Sequence, residues 1–184
     1  MTGGTVLQIS LRLLQPAATI GGMAIRLRGQ LTFVRPATEV DVDLLVAWHA
    51  DPDVSRYWDD ETFTREEILE RLRRPLVDAF IVEATGEPVG YIQAWWDEDL
   101  PAEGGIDMFL IPQARGRGVG PDAARAVVRH LLDERGWTRV TVDPYAWNEP
   151  AIRAWRKAGF VDVEARPADD EHPAPWVLLE FGRG

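Results

Sequence analysis

Gln113-Ala114-Arg115-Gly116-Arg117-Gly118-Val119-Gly120 runs directly into Pro121-Asp122, between a strand-like segment and a helix-like one. Upstream, Gly105–Ile111 reads as a strand whose pairing ends at Pro112, which has no N–H to donate. Downstream, Pro121 suits the first turn of a helix running to about Arg135, and Asp122 suits its positive end. Glycines let successive backbone N–H groups turn inward with no Cβ in the way, and the helix start adds its dipole. A loop of this kind cradles a pyrophosphate, with Arg115 and Arg117 as further positive charge. A Walker loop would need Gly-Lys-Ser/Thr, whereas Pro121-Asp122 follow Gly120. Gly118-x-Gly120-x-x-Ala123 fits the dinucleotide fingerprint, but that fingerprint opens a βαβ repeat and only about 60 residues remain here. A plain flexible turn leaves the feeding strand and the proline-started helix unexplained.

Working outward, Ile25–Arg35 reads as one or two strands around Gly29. Thr38 with Asp41, and Thr64 with Glu67, are capping-box starts for helices, the second stopped by Pro75. Asp51-Pro52 separates the first of these from a short helix reaching Trp58. Ala79–Ala84 and Val89–Trp96 flank a turn at Thr85-Gly86-Glu87-Pro88 and predict a hairpin. After the loop and its helix come a strand (Arg139–Asp143), a helix (Pro150–Ala158, stopped by Gly159) and strands at Phe160–Ala165 and Trp176–Phe181. This order predicts an α+β fold with a mixed, mostly antiparallel sheet flanked by helices. Residues 1–22 are expected to be a loosely attached extension, with Met23 as an alternative start, and 23–184 a single domain.

Composition narrows the chemistry. With no cysteine, thiol nucleophiles, disulfides and zinc–cysteine sites are excluded, and the chain suits the cytoplasm. The three histidines form no HxxxH or HExxH spacing, so no metal is expected. Neither serine sits in a nucleophile elbow. A net charge of −10 disfavours nucleic acid and favours a cationic small molecule. No apolar run is long enough to span a membrane. Monomer and homodimer both remain open.

Gln113-x-x-Gly116-x-Gly118 resembles the acetyl-CoA motif of the GNAT N-acetyltransferases, and Asn148–Phe160 (NEPAIRAWRKAGF) resembles the second half of the same signature. The resemblance covers about Phe33 to Phe181. It implies a GNAT-like sheet with a splayed central strand pair and acetyl-CoA as co-substrate. Leu110 and Ile111 would pair with the pantetheine arm. The N–H groups of Arg115, Gly116, Arg117, Gly118, Val119 and Gly120 would hold the pyrophosphate. The N–H of Phe109 or Leu110 would polarise the thioester carbonyl, and Asn148, also a good helix cap, would contact the cofactor.

Gly104-Gly105-Ile106-Asp107 and Asp143-Pro144 are similar to the aminoglycoside 6′-N-acetyltransferases, in which two such aspartates face the substrate amine. The resemblance implies Asp107 as general base and Asp143 as ammonium anchor, although the two roles can be exchanged. Trp58, Gln93, Trp95 and Trp96 would line the substrate side; because strand side chains alternate, only one of the last two can do so. The acidic loop with Asp97 and Asp99 would attract a polycation. The implied activity is acetyl transfer to an aminosugar amine, most readily the 6′ and alternatively the 2′. Two departures stand out. Trp155 occupies the position of the family's proton-donating tyrosine, which leaves Tyr145, a water or no dedicated acid, and the acidic loop is short. Two alternatives remain: acylation of a hydroxylysine-type siderophore precursor, whose enzymes commonly carry His where Asp107 stands, and a silent CoA- or ligand-binding module.

Overall fold

A computed structural model describes residues 25–58, 60–170 and 172–182. The expected extension over 1–22 lies outside them. Eight strands, β1 (Leu27–Arg28), β2 (Thr32–Pro36), β3 (Val77–Ala84), β4 (Glu87–Trp96), β5 (Glu103–Leu110), β6 (Arg139–Val142), β7 (Phe160–Arg166) and β8 (Trp176–Phe181), form one sheet. Their spatial order is β1-β2-β3-β4-β5-β6-β8-β7. Every pairing is antiparallel except β5 with β6. The sheet is therefore mixed and mostly antiparallel, as the sequence predicts.

The helices divide between the two faces. α1 (Val42–His49), α2 (Pro52–Ser55) and α3 (Arg65–Leu72) precede the hairpin. Their apolar sides join Ile81, Tyr91 and Phe109 in one core cluster. α4 (Val119–Arg129) and α5 (Glu149–Ala158) cover the other face, packed on Val82, Ile92, Ile106, Val140 and Leu179. Both predicted capping boxes are made, Thr38 with Asp41 and Thr64 with Glu67. The helix after the glycine loop starts earlier than the proline suggests, at Val119. It passes into a π turn at His130–Glu134, where Arg135 N–H bonds the His130 carbonyl.

Asp122 also has a larger role than complementing the α4 dipole. Its buried carboxylate accepts from the N–H groups of Gln30, Leu31 and Thr32 and from the Thr32 hydroxyl at 2.8–3.0 Å, pinning the β1–β2 turn onto α4. Burial alone would raise its pKa, but the Leu31 and Gln30 N–H groups, with those of Thr32, hold it below the usual carboxylate range. Asp122→Asn sets an amide NH2 against these donors. The expected loss is about 2–3 kcal/mol, the scale of hydrogen bonds to a charged group. It would be read as a lower urea midpoint at unchanged m-value; an unchanged midpoint would show that the turn does not depend on the charge.

Candidate active site

The two central strands part. β5 pairs with β6 only at Glu103↔Arg139, Gly104↔Val140 and Gly105↔Thr141, while β5 continues to Leu110. β6 leaves because β8 holds its other edge and Pro144 cannot donate to a ladder. Beyond Val142 the chain follows β8: Val177 N–H bonds the Pro144 carbonyl, Ala146 N–H bonds the Pro175 carbonyl, and Tyr145 bridges to Trp176. A cleft of about 240 Å³ opens between the arms. Its walls include Ile106, Asp107 and Met108 on one side, Val142, Asp143 and Tyr145 on the other, with Trp58, Asn148 and His172.

The ladder decides which amides face this cleft. Ile111 N–H bonds the Val89 carbonyl, on the β4 side. Polar groups alternate sides along a strand, so Phe109 and Asp107 also turn their amides to β4. Ile106, Met108 and Leu110 turn theirs toward β6. The last rung of the ladder, Gly105↔Thr141, takes the Ile106 N–H, and Met108 and Leu110 lie beyond it at the gap, in agreement with the Leu110 carbonyl accepting from Arg115 Nε at 2.8 Å. Two expected roles are corrected accordingly. Ile111 has its N–H committed to β4, and Phe109 is a buried core residue packed on Trp48, His49 and Trp58. Met108, absent from the sequence-based set, has the same orientation as Leu110, and the parity of the ladder, invisible without the register, shows it.

The glycine loop sits at the end of the cleft where β5 stops. Gly116 and Gly118 have φ of +74° and +82°, a region costly for any residue with a Cβ. Gly118 is the N-cap of α4. Backbone N–H groups from Gly116 to Gly120 have no backbone acceptor among the described residues. A Cβ on Gly120 would lie 3.3 Å from the Met108 side chain, so the loop lies against β5. Arg115 does not present its guanidinium here: it donates to the Leu110 carbonyl and, at 2.7 Å, to the Asp53 carbonyl, while its own N–H bonds Pro112. It ties the strand end to α2. Arg117 is exposed and forms no ion pair among the described residues.

On β4, outside the cleft lining, Gln93 lies across from Asp107 in register, and its Nε2 donates to Asp107 Oδ2 at 2.9 Å. Its amide oxygen accepts from the Tyr91 hydroxyl at 3.1 Å. Burial pushes the Tyr91 pKa up, keeping it a donor that sets the amide orientation. Trp95 shares this face, its indole lying where a Cβ on Gly105 would be. Trp96 points the other way, into the core against Trp137. Asp97 and Asp99 belong to an exposed turn, with Asp99 N–H on Asp97 Oδ1, and do not line the cleft. Asn148 lines it and also caps α5, accepting from Ala151 N–H at 3.3 Å. Trp155 forms buried wall. Tyr57 and His172, which no motif marks, join the lining because the α2 and β7–β8 loops reach over the gap.

Residues 37–167 match the acetyltransferase (GNAT) domain family. The chain belongs to that family. It is 31% identical over 145 residues to aminoglycoside N(6′)-acetyltransferase type 1 of Klebsiella pneumoniae, covering 69% of this chain and 72% of that one. Among solved structures it is similar to AAC(6′)-Ib in complex with paromomycin and acetyl-CoA (27% identity, TM-score 0.73, 84% of this chain and 94% of that one). It is also similar to AAC(6′)-Ib with coenzyme A and kanamycin (28%, TM-score 0.71, 83% and 95%).

Behind the cleft of this GNAT domain, His49 is boxed in by Trp58, Phe63, Tyr91 and Phe109 at 4.7–6.4 Å, and its Nδ1 has no partner among the described residues. Burial, with the Arg71 charge nearby, pushes its pKa down to about 4. The unfolded chain takes up this proton first as pH falls, so stability is lost from about pH 6.5 downward. By pH 4.5 the expected cost is about 2–3 kcal/mol. His49→Leu should shrink the difference between unfolding free energies at pH 7 and 4.5 by that amount. An identical acid-side loss in both proteins would mean that the ring takes its proton without unfolding.

Proposed function

We propose that this chain transfers the acetyl group of acetyl-CoA to an amino group of an aminosugar, the 6′-amine first among those available. The carrying observation is the parting of β5 from β6, with Asp107 on one arm, Asp143 on the other, and the glycine loop at the end where β5 stops. The relatives bound to acetyl-CoA, coenzyme A and kanamycin support the same reading.

Acetyl-CoA supplies a thioester carbonyl to an incoming nucleophile. The N–H groups from Gly116 to Gly120 and the α4 N-terminus would hold its pyrophosphate, and Arg117 would add charge. The gap-facing amides of Met108 and Leu110 would pair with the pantetheine arm and donate to the carbonyl oxygen as negative charge develops on it. Asn148 on the far wall would complete the contacts.

An ammonium has no lone pair to attack with, so a proton must leave it. Asp107, its carboxylate held by Gln93, would take that proton as the amine nitrogen bonds to the carbonyl carbon. Asp143 would hold the substrate's charge. When the C–S bond breaks, the thiolate needs a proton that the Trp155 indole cannot give. The Tyr145 hydroxyl, on the same wall, would give it. Trp58 and Trp95 would offer flat faces to the sugar.

A thiol-release assay with acetyl-CoA against kanamycin, ribostamycin, spermidine and a peptide amine should give its highest kcat/KM with the aminosugars; equal rates with spermidine or the peptide would displace this reading. Asp107→Asn should lower kcat by about two to four orders of magnitude while leaving acetyl-CoA affinity unchanged. Full activity of that variant would remove Asp107 from the chemistry. Gly118→Val forces a β-branched residue to positive φ in the cradle. It should weaken coenzyme A binding by about 2 kcal/mol or more in calorimetry, and an unchanged affinity in the folded variant would refute the cradle.

A further inference from the structure

The β7–β8 loop places one histidine between two carboxylates on the cleft wall. His172 Nδ1 lies 3.0 Å from Asp169 Oδ1, and its Nε2 lies 3.4 Å from Asp143 Oδ2. The ring stacks on Trp176 at 4.3 Å and meets the Tyr145 ring edge-on at 6.3 Å. The Trp176 indole N–H donates to Asp169 Oδ2, and His172 N–H donates to Asp169 Oδ1, which fix that carboxylate against the ring. Among the described residues, the charged and titratable groups around the imidazole are Asp143 from the end of β6, Asp169 from its own loop, Tyr145, and Arg166 over the Trp176 ring.

These contacts assign the tautomer. An ionised carboxylate only accepts, so Nδ1 carries a hydrogen toward Asp169. A neutral ring then has its lone pair on Nε2, aimed beside Asp143 Oδ2. Two acceptors facing each other are satisfied only by a proton on Nε2 or by a donor placed between them. Both groups line the cleft that Asp107 enters from the other side.

We propose that His172 Nε2 and Asp143 Oδ2 accept together from one ammonium of the substrate, which replaces the proton bridging them in the free protein, so that amine binding releases a proton to solvent. The proposal rests on the aminosugar reading and makes His172 a substrate-binding residue. Its sign follows directly: the bridging proton competes with the ammonium, so affinity rises with pH. A second ammonium distant from the acetylated one suits a polyamine scaffold and does nothing for a monoamine.

The test is calorimetric binding of kanamycin to the protein saturated with coenzyme A, near pH 6, in buffers of different ionisation enthalpy. Wild type should release up to about one proton per kanamycin, and its Kd should fall with rising pH wherever that release is seen, approaching tenfold per unit. His172→Phe keeps a ring on Trp176 but should release no proton and lose this pH dependence. In the substrate-free wild type, ¹⁵N NMR of the neutral ring should show the hydrogen on Nδ1, a readout that does not depend on any variant folding. Binding without proton release, an equal release from His172→Phe, or the hydrogen on Nε2 overturns the proposal and leaves the aminosugar reading in place. Failure of kanamycin to bind overturns both.

Discussion

Everything in the site depends on a parallel ladder that is allowed to form for only three residue pairs. β5 and β6 meet over Glu103–Gly105 and then diverge, because β8 claims the far edge of β6 and Pro144 withholds an N–H. Backbone amides in a sheet interior are costly to leave unpaired. At Met108 and Leu110 that pairing is given up where a cleft can supply the missing partner. An extended molecule with its own carbonyl and N–H groups fits such an edge as an added strand would.

β5 then serves as a ruler, because its alternations of side chain and amide coincide. Residues with amides toward β4 (Asp107, Phe109) direct their side chains to the α1–α3 face. Residues with amides toward the β6 side (Ile106, Met108, Leu110) pack theirs with the α4 side. A one-residue slip would send the carboxylate into the α4 core and exchange the gap-facing amides. The register is secured at both ends. Arg115 grips the Leu110 carbonyl and α2. At the start, Gly104 and Gly105 admit Trp137 and Trp95 rings on opposite faces, spaces that any side chain would fill.

Local chemistry in the sequence carried most of the fold. Capping boxes at Thr38 and Thr64, the Thr85-Gly86 turn, Pro112 and Gly159 all act within a few residues, and each element follows them closely. The glycine loop was legible for the same reason, since positive φ and free N–H groups are properties of a short segment. What could not be read was anything set by register or by long-range contact. Arg115 has the residue type of a phosphate ligand but is recruited by carbonyls of Leu110 and Asp53. Asp122 has the position of a helix-dipole partner but is taken by a turn about 90 residues away in sequence. Phe109 and Met108 differ only in ladder parity, and Trp95 and Trp96 only in pleat. His172 sits in a polar loop with no motif, and only the course of β8 beside β6 brings it to Asp143.

Charge along the cleft is segregated, which matters for a protein with net charge −10. At long range such a surface repels an anionic co-substrate and attracts a polycation. An anion must therefore be held by short-range donors: the N–H groups of the glycine loop, the α4 N-terminus and Arg117. These act within a few ångströms, where a unit interaction strengthens from about 1 kcal/mol in water to about 4 at a protein surface. On the substrate walls the order reverses, with Asp107, Asp143 and, behind His172, Asp169 gathered without a neighbouring lysine. On the proposed function, neither reactant can occupy the other's end, because each would meet like charge there. The strand that bears Asp107 also runs from the acidic walls to the cationic loop, so the two ends stand at a fixed distance. The amine and the thioester therefore approach each other along β5, at the gap-facing amides of Met108 and Leu110.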